Sequence, residues 1–216
     1  MIPAATGSTV PAALTLHSLP LFPLSAVLFP DGLLALRVFE VRYLDMIAKC
    51  RKAGAPFGVV SLTQGGEVRQ PGVQEAFAQV GTLATLHDFE QPQPGLMLVR
   101  ATGAQRFRIT ASDRLKHGLW VADVERLPAD VAVPVPEDLQ PTTDALERLI
   151  HSLQHKPGPL PLLPPWKLDD CGWVANRWCE LLPLPVPLKQ RLMELDNPLV
   201  RLELVSDVLT RTGIMT

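Results

Sequence analysis

Glu147, His151 and His155 recur every four residues, so on a helix they share one side, a spacing that can gather ligands around a metal ion. A zinc helix of the HExxH kind holds its glutamate between the histidines. Here Ser152-Leu153-Gln154 fill that interval and Glu147 stands a turn earlier. The three residues are therefore read as a solvated helix face, with the histidines favoured by the partial negative charge of a helix C-terminus, and no metal is expected. Nucleophilic chemistry has no better seat. A serine nucleophile needs a base and a sharp exposed turn such as GxSxG, and Ser18, Ser25, Ser61, Ser112, Ser152 and Ser206 all lack that context. No GxxxxGK[ST] loop is present to wrap phosphates, so no catalytic residue and no cofactor are expected. Cys50, Cys171 and Cys179 form no CxxC pair, and on one helix Cys171 and Cys179 would stand about 80° apart. They read as small core or boundary residues of a protein from a reduced, cytoplasmic compartment.

One segment carries a charge excess. Arg100, Arg106, Arg108, Arg114 and Lys116 are opposed only by Asp113, a local charge of +4 over residues 100–116, which makes an RNA-associated module the alternative reading. Yet Arg106 and Arg108 alternate with Phe107 and Ile109, as they would if one face of a strand were wet and the other buried. No RNA-stacking aromatic motif accompanies them. The chain as a whole has 20 basic and 22 acidic residues, a net charge of -2 and a pI near 6.2, so no general polyanion-binding surface is indicated.

The elements that must position any site follow from patterning. With 216 residues, 47% hydrophobic and 19% charged, the chain can bury a sizeable core without disulfides or metal. Its 22 prolines are about twice the usual share, so fixed corners are frequent. Met1 to Pro30 contains no Asp, Glu, Lys or Arg, so it lacks a basic start, and its prolines interrupt any run long enough to span a membrane. Residues 1–13 read as a loose tail. From 14 to 127 short apolar stretches alternate with turn residues, predicting strands over 15–22, 33–39, 57–62, 80–89, 96–102, 105–110 and 119–127. One helix crosses among them over 41–53, with Gly54 as its stop. A proline-rich linker is predicted over 128–141, and helices over 142–216. Thr143 or Asp144 caps the first of these helices, Asp169 or Asp170 the second, Pro187 opens the third and Asn197-Pro198 the fourth. Each has a single apolar stripe, for which a small bundle is the economical solution.

Leu19-Pro-Leu-Phe-Pro-Leu24, Val27-Leu-Phe-Pro30, Leu36, Phe39-Glu40, Arg42-Tyr43 and Met46 resemble the opening of the Lon N-terminal domain family, the substrate-recognition domain of ATP-dependent Lon proteases. Phe57-Gly58-Val59-Val60, Val80-Gly81-Thr82, Gly103, Arg106-Phe107 and the segment from Leu188 to Glu194 resemble later landmarks in the same order. The resemblance implies an α+β fold in which a PUA-like β-barrel is followed by a C-terminal α-helical bundle, in accord with the strand-then-helix patterning. It also implies a non-catalytic domain that binds protein or peptide segments, with an adaptor or chaperone-like role. Lon proteases join such a domain to ATPase and protease modules, whereas this sequence ends after the helices, so a stand-alone member is expected.

Pro20, Pro23 and Pro30 fix φ and withhold N–H donors, as suits strand edges or corners. Phe39, Glu40, Arg42 and Arg106 are expected to brace the fold, Glu40 near the positive end of a helix and Arg42 within reach of a carbonyl or a second acid. Phe22 and Phe29 are expected to enter the core. With Tyr43 and with Trp166, the latter as a surface anchor, they are the candidates for contact with a bound peptide. Gly81 and Gly103 are expected to permit bulges or positive φ.

Overall fold

The computed structural model describes residues 15–68, 72 and 74–214, so the tail expected over 1–13 lies outside the described residues. In chain order it contains β1 (Thr15–Leu24), β2 (Leu33–Val38), α1 (Val41–Ala53), β3 (Phe57–Gln64), β4 (Ala76–Phe77), β5 (Val80–Gln93), β6 (Leu96–Arg114) and β7 (Trp120–Arg126). A 3-10 turn (Glu137–Leu139) then leads into α2 (Gln140–Gln154), α3 (Cys171–Leu181), α4 (Val186–Glu194) and α5 (Pro198–Arg211).

The strands form one mixed sheet in the order β1-β7-β6-β5-β3-β4. Because β1 also pairs in parallel with β3, the hydrogen-bonded path through β1, β7, β6, β5 and β3 returns to its start. β1 changes partner along its length: Thr15 to Leu21 lie opposite β7, and Leu21 to Leu24 lie opposite β3. Pro20 and Pro23 flank this exchange, where the strand has a ladder on only one side at a time and can hold residues without an N–H. β2 stands off the path and pairs with β6 alone among the described residues.

Sequence and structure part company at definite points. The strands predicted over 96–102 and 105–110 are one strand, because Gly103 does not interrupt β6. Neither Gly81 nor Gly103 has a positive φ. Gly103 instead lets the 29–32 loop lie against β6: a Cβ there would stand 2.0 Å from the Phe29 carbonyl oxygen, and Asp31 N–H donates to Gly103 O at 2.9 Å. α2 starts at Gln140, ahead of Thr143 and Asp144, because Pro141 occupies its first turn, where no N–H is needed. α1 spans 41–53 as predicted, and Gly54 closes it at φ 60°. Asp170 caps α3 and Asn197 caps α5, each through its side-chain oxygen on two backbone N–H groups.

The helices α2 to α5 do not enclose a core of their own. Leu146, Ile150, Trp173, Trp178, Met193 and Leu202 share one cluster with Phe29 and Val80 from the strand-rich half. Two polar ties cross the same seam. Buried Gln190 of α4 accepts from Ser61 Oγ at 2.8 Å and donates to Val80 O at 2.9 Å. Arg106 of β6, 4% exposed, donates to Met193 O and Leu195 O and faces Asp130 and Asp196. The expectation that Arg106 lies with Arg108 on a wet strand face is therefore corrected: the helices cover that face, so Arg106 is buried while Arg108 is exposed.

Candidate functional site

A groove of about 350 Å³ runs between β2 and the end of β1, with Phe22 and Tyr43 at its base. The sequence builds this base from two directions. Phe22 comes from β1 where the strand passes to β3, and Tyr43 comes from the first turn of α1. Their rings stack with centroids 4.1 Å apart and planes 18° from parallel, and Phe57 lies behind them at 6.3 Å from Phe22.

Arg42 holds this stack in place. Its guanidinium carbon lies 4.5 Å from the Tyr43 ring centre. Arg42 Nε donates to Glu40 at 2.9 Å, Nη1 donates to Gly118 O at 2.8 Å, and Glu75 lies 3.6 Å from Nη2. Glu75 also accepts from Trp120 Nε1 at 2.8 Å, so its carboxylate is engaged on both sides. Glu40 occupies the N-cap position of α1, but its carboxylate serves Arg42 and not the helix N–H groups. Burial pushes the Tyr43 hydroxyl well above the ordinary phenol range, with the Arg42 charge opposing part of that rise. The base of the groove is thus a neutral, fixed aromatic surface.

The mouth of the groove is apolar as well. Phe39, expected to brace the fold, is instead 57% exposed, Val68 is 52% exposed, and both line the groove. Large apolar side chains left in water beside a concave surface are the usual mark of a recognition site. The remaining wall is β2 itself.

The candidates named from sequence separate in space. Phe22 and Tyr43 come together at the groove. Phe29 is wholly buried in the cluster shared with the helices and presents no surface there. Trp166 is partly buried against that same cluster, away from the groove, with its indole N–H unpartnered. Glu147, His151 and His155 are exposed along α2, and the His155 ring nitrogen Nδ1 lies 2.7 Å from His151 O. Among the described residues no three His, Cys, Asp or Glu side chains converge as metal ligands would. The cations of 100–116 scatter: Arg106 is buried, Arg114 stacks on Trp120 and faces Glu75, and Arg108 is exposed. Sequence reading missed Leu34, Leu36, Arg37 and Val68 as groove residues. For the three on β2 the one signal was an apolar six-residue strand carrying a single charge, Arg37, and Val68 had none.

A second hollow, of about 370 Å³, lies at the seam between sheet and helices beside Arg106, Asp130, Lys167 and Trp173. Its arginine already has protein partners on each side, so it offers little unspent polar capacity. No helix among the described residues is long and apolar enough to cross a membrane.

Comparison with known proteins identifies the family of the fold. The family model of the ATP-dependent protease La (Lon) substrate-binding domain matches residues 18–211. A solved structure described as a Lon N-terminal domain protein from Xanthomonas campestris superposes with a TM-score of 0.69 at 31% identity, covering 89% of this chain and 98% of that one. The N-terminal domain of Mycobacterium avium complex Lon protease shares the fold at a TM-score of 0.56 and 16% identity, covering 88% of this chain and 96% of that one. No curated protein matches. With the family model spanning nearly its whole length, the chain belongs to the Lon substrate-binding domain family.

Proposed function

We propose that the protein recognises polypeptide segments, holding their exposed apolar side chains in the groove between β2 and the Phe22–Tyr43 stack, and that it breaks no bonds in them. The observation that carries this reading is the pairing of a rigid aromatic base with exposed Phe39 and Val68 at the mouth. Family membership supports it, since the matching model is named for substrate binding. In this reading the closed strand path of the 14–127 unit acts as a PUA-like barrel, and the helices of 142–216, reached through 128–141, brace it. The protein then serves in the cytoplasm as an adaptor or holding factor for unfolded chains, with proteolysis left to separate machinery.

The experiment is capture of a chemically unfolded, fluorescently labelled client by purified protein. Phe39→Asp and Val68→Asp place a charge on exposed positions, where surface substitutions alter stability by only about 0.5 kcal/mol. Each is expected to weaken capture about tenfold at unchanged Tm, while Leu204→Asp on the outer side of α5 leaves it intact. Equal capture by all three variants, or no capture by the native protein, would defeat the proposal.

A further inference from the structure

We infer that a bound segment enters the groove as an added β-strand on the free edge of β2, with apolar side chains at alternate positions over the Phe22–Tyr43 base and a carboxylate between them facing Arg37. This deepens the polypeptide-binding reading and rests on it.

The edge is open. β2 pairs with β6 in an unbroken register from Leu33 opposite Thr102 to Val38 opposite Met97, and with no other strand among the described residues. In such a pair alternate residues direct N–H and C=O toward the partner, and the intervening ones direct theirs to the other side. The six-residue edge has neither proline nor bulge, the devices that ordinarily spoil an edge for pairing. Leu34 and Leu36 on one face and Ala35 and Arg37 on the other all line the groove, as they do when its wall is the strand's edge and not one of its faces.

The pleat then dictates what fits. Leu34 and Leu36 pack with the cluster that contains Phe22 and Tyr43, while Ala35 and Arg37 are exposed on the opposite face. A strand laid beside β2 inherits the same alternation, so every second side chain points to the aromatic base. The intervening side chains lie next to Ala35 and Arg37. Arg37 is exposed and enters none of the ion pairs among the described residues, whereas Arg100, opposite Ala35, is itself opposite the exposed Asp88 of β5. The acids that line the groove are already engaged, Glu40 by Arg42 and Glu67 by the Ser25 N–H at 2.7 Å. Arg37, on the edge strand itself, is the charge nearest an added strand and favours a carboxylate beside it.

The test uses the whole protein and fluorescein-labelled ten-residue peptides read by anisotropy. One peptide alternates leucine with aspartate, a second has the same composition in two blocks, and a third replaces aspartate with lysine. Two further peptides are the alternating one N-methylated at odd or at even leucine and aspartate positions. The alternating peptide is expected to bind about tenfold more tightly than the blocked one, and one methylation register but not the other is expected to cost about tenfold per lost hydrogen bond. Arg37→Glu is expected to reverse the preference between aspartate and lysine. Equal binding of alternating and blocked peptides, tolerance of both methylation registers, or an unchanged preference in Arg37→Glu overturns the inference. If the unfolded client is still captured and Phe39→Asp still releases it, strand addition alone has failed. If neither client nor peptide binds, the polypeptide reading falls with it.

Discussion

At the scale of single residues, Gly103 and the three cysteines serve packing. Gly103 lets Gly32 O accept from its own N–H at 2.9 Å while the Phe29 carbonyl rests where a Cβ would be. Neither backbone can yield, since Phe29 is fully buried and β6 is paired on both sides at this point. Gly103→Ala is expected to cost about 3 kcal/mol, measured by urea denaturation, and a loss under about 1 kcal/mol would show that the 29–32 loop moves freely. The thiols give a second prediction. Cys50, Cys171 and Cys179 are all buried and unpaired, and burial raises each above the ordinary thiol range, Cys179 to about 12. Little thiolate exists at pH 8 and little of it is accessible, so a disulfide reagent should label none of the three within minutes in native protein. All three should react on unfolding in denaturant. Rapid labelling of one thiol in the native state would place that cysteine at an opening segment.

At the scale of elements, the seam between sheet and helices is held by a charge cluster that spans three of them. Arg106 of β6 and Arg201 of α5, only 1% exposed, converge on Asp130, with Arg201 also donating to Asn176 Oδ1 and to Leu192 O. Removing Asp130 leaves buried Arg201 without a counter-charge and Arg106 with only the exposed Asp196, so Asp130→Ala is expected to cost about 3 kcal/mol. Arg201→Met in the Asp130→Ala background should cost less than it does alone, and strict additivity in that double-mutant cycle would show that the two groups do not interact. Periodicity alone could not reveal this cluster. It does place α1, because Tyr43, Ile47 and Cys50 recur at helical spacing ahead of Gly54, and local cap chemistry places Asn197 and narrows the α3 cap to Asp169 or Asp170, of which the structure uses Asp170. It cannot report which strands become neighbours. The inward turn of Arg106 follows from helices nearly ninety residues further on, as its bond to Met193 O shows. The free edge of β2 likewise depends on the strand order, and so does the groove, which joins Phe22, Leu36, Tyr43 and Val68 from four separate stretches. The two-residue β4 is too short to leave a pattern at all.

At the scale of the whole molecule, strands and helices stand or fall together because Phe29 and Val80 belong to the helical cluster, and this makes stability depend on one carboxyl at the seam. Glu180 of α3 lies against the 29–32 loop. Arg177 donates to it at 3.0 Å and to Pro30 O at 2.7 Å, and Lys189 Nζ donates to the Glu180 carbonyl at 3.2 Å. Burial outweighs the favourable charges of Arg177 and Lys189 and pushes the carboxyl up from 4.5 to about 7. In the unfolded chain the proton leaves near the ordinary value, so between these two pH values the folded state binds more protons than the unfolded one. Stability therefore falls as pH rises through that window and levels off above it. The side chain keeps 17% exposure, so the loss is at most about 3 kcal/mol. Glu180→Gln imitates the protonated form. It is expected to match the native protein in urea denaturation near pH 4.5 and to exceed it at pH 8, with the difference growing across the same interval. A Glu180→Gln protein that is weaker than the native one at pH 8 would mean that the Arg177 ion pair prevails over desolvation and that the seam is held by the charged form.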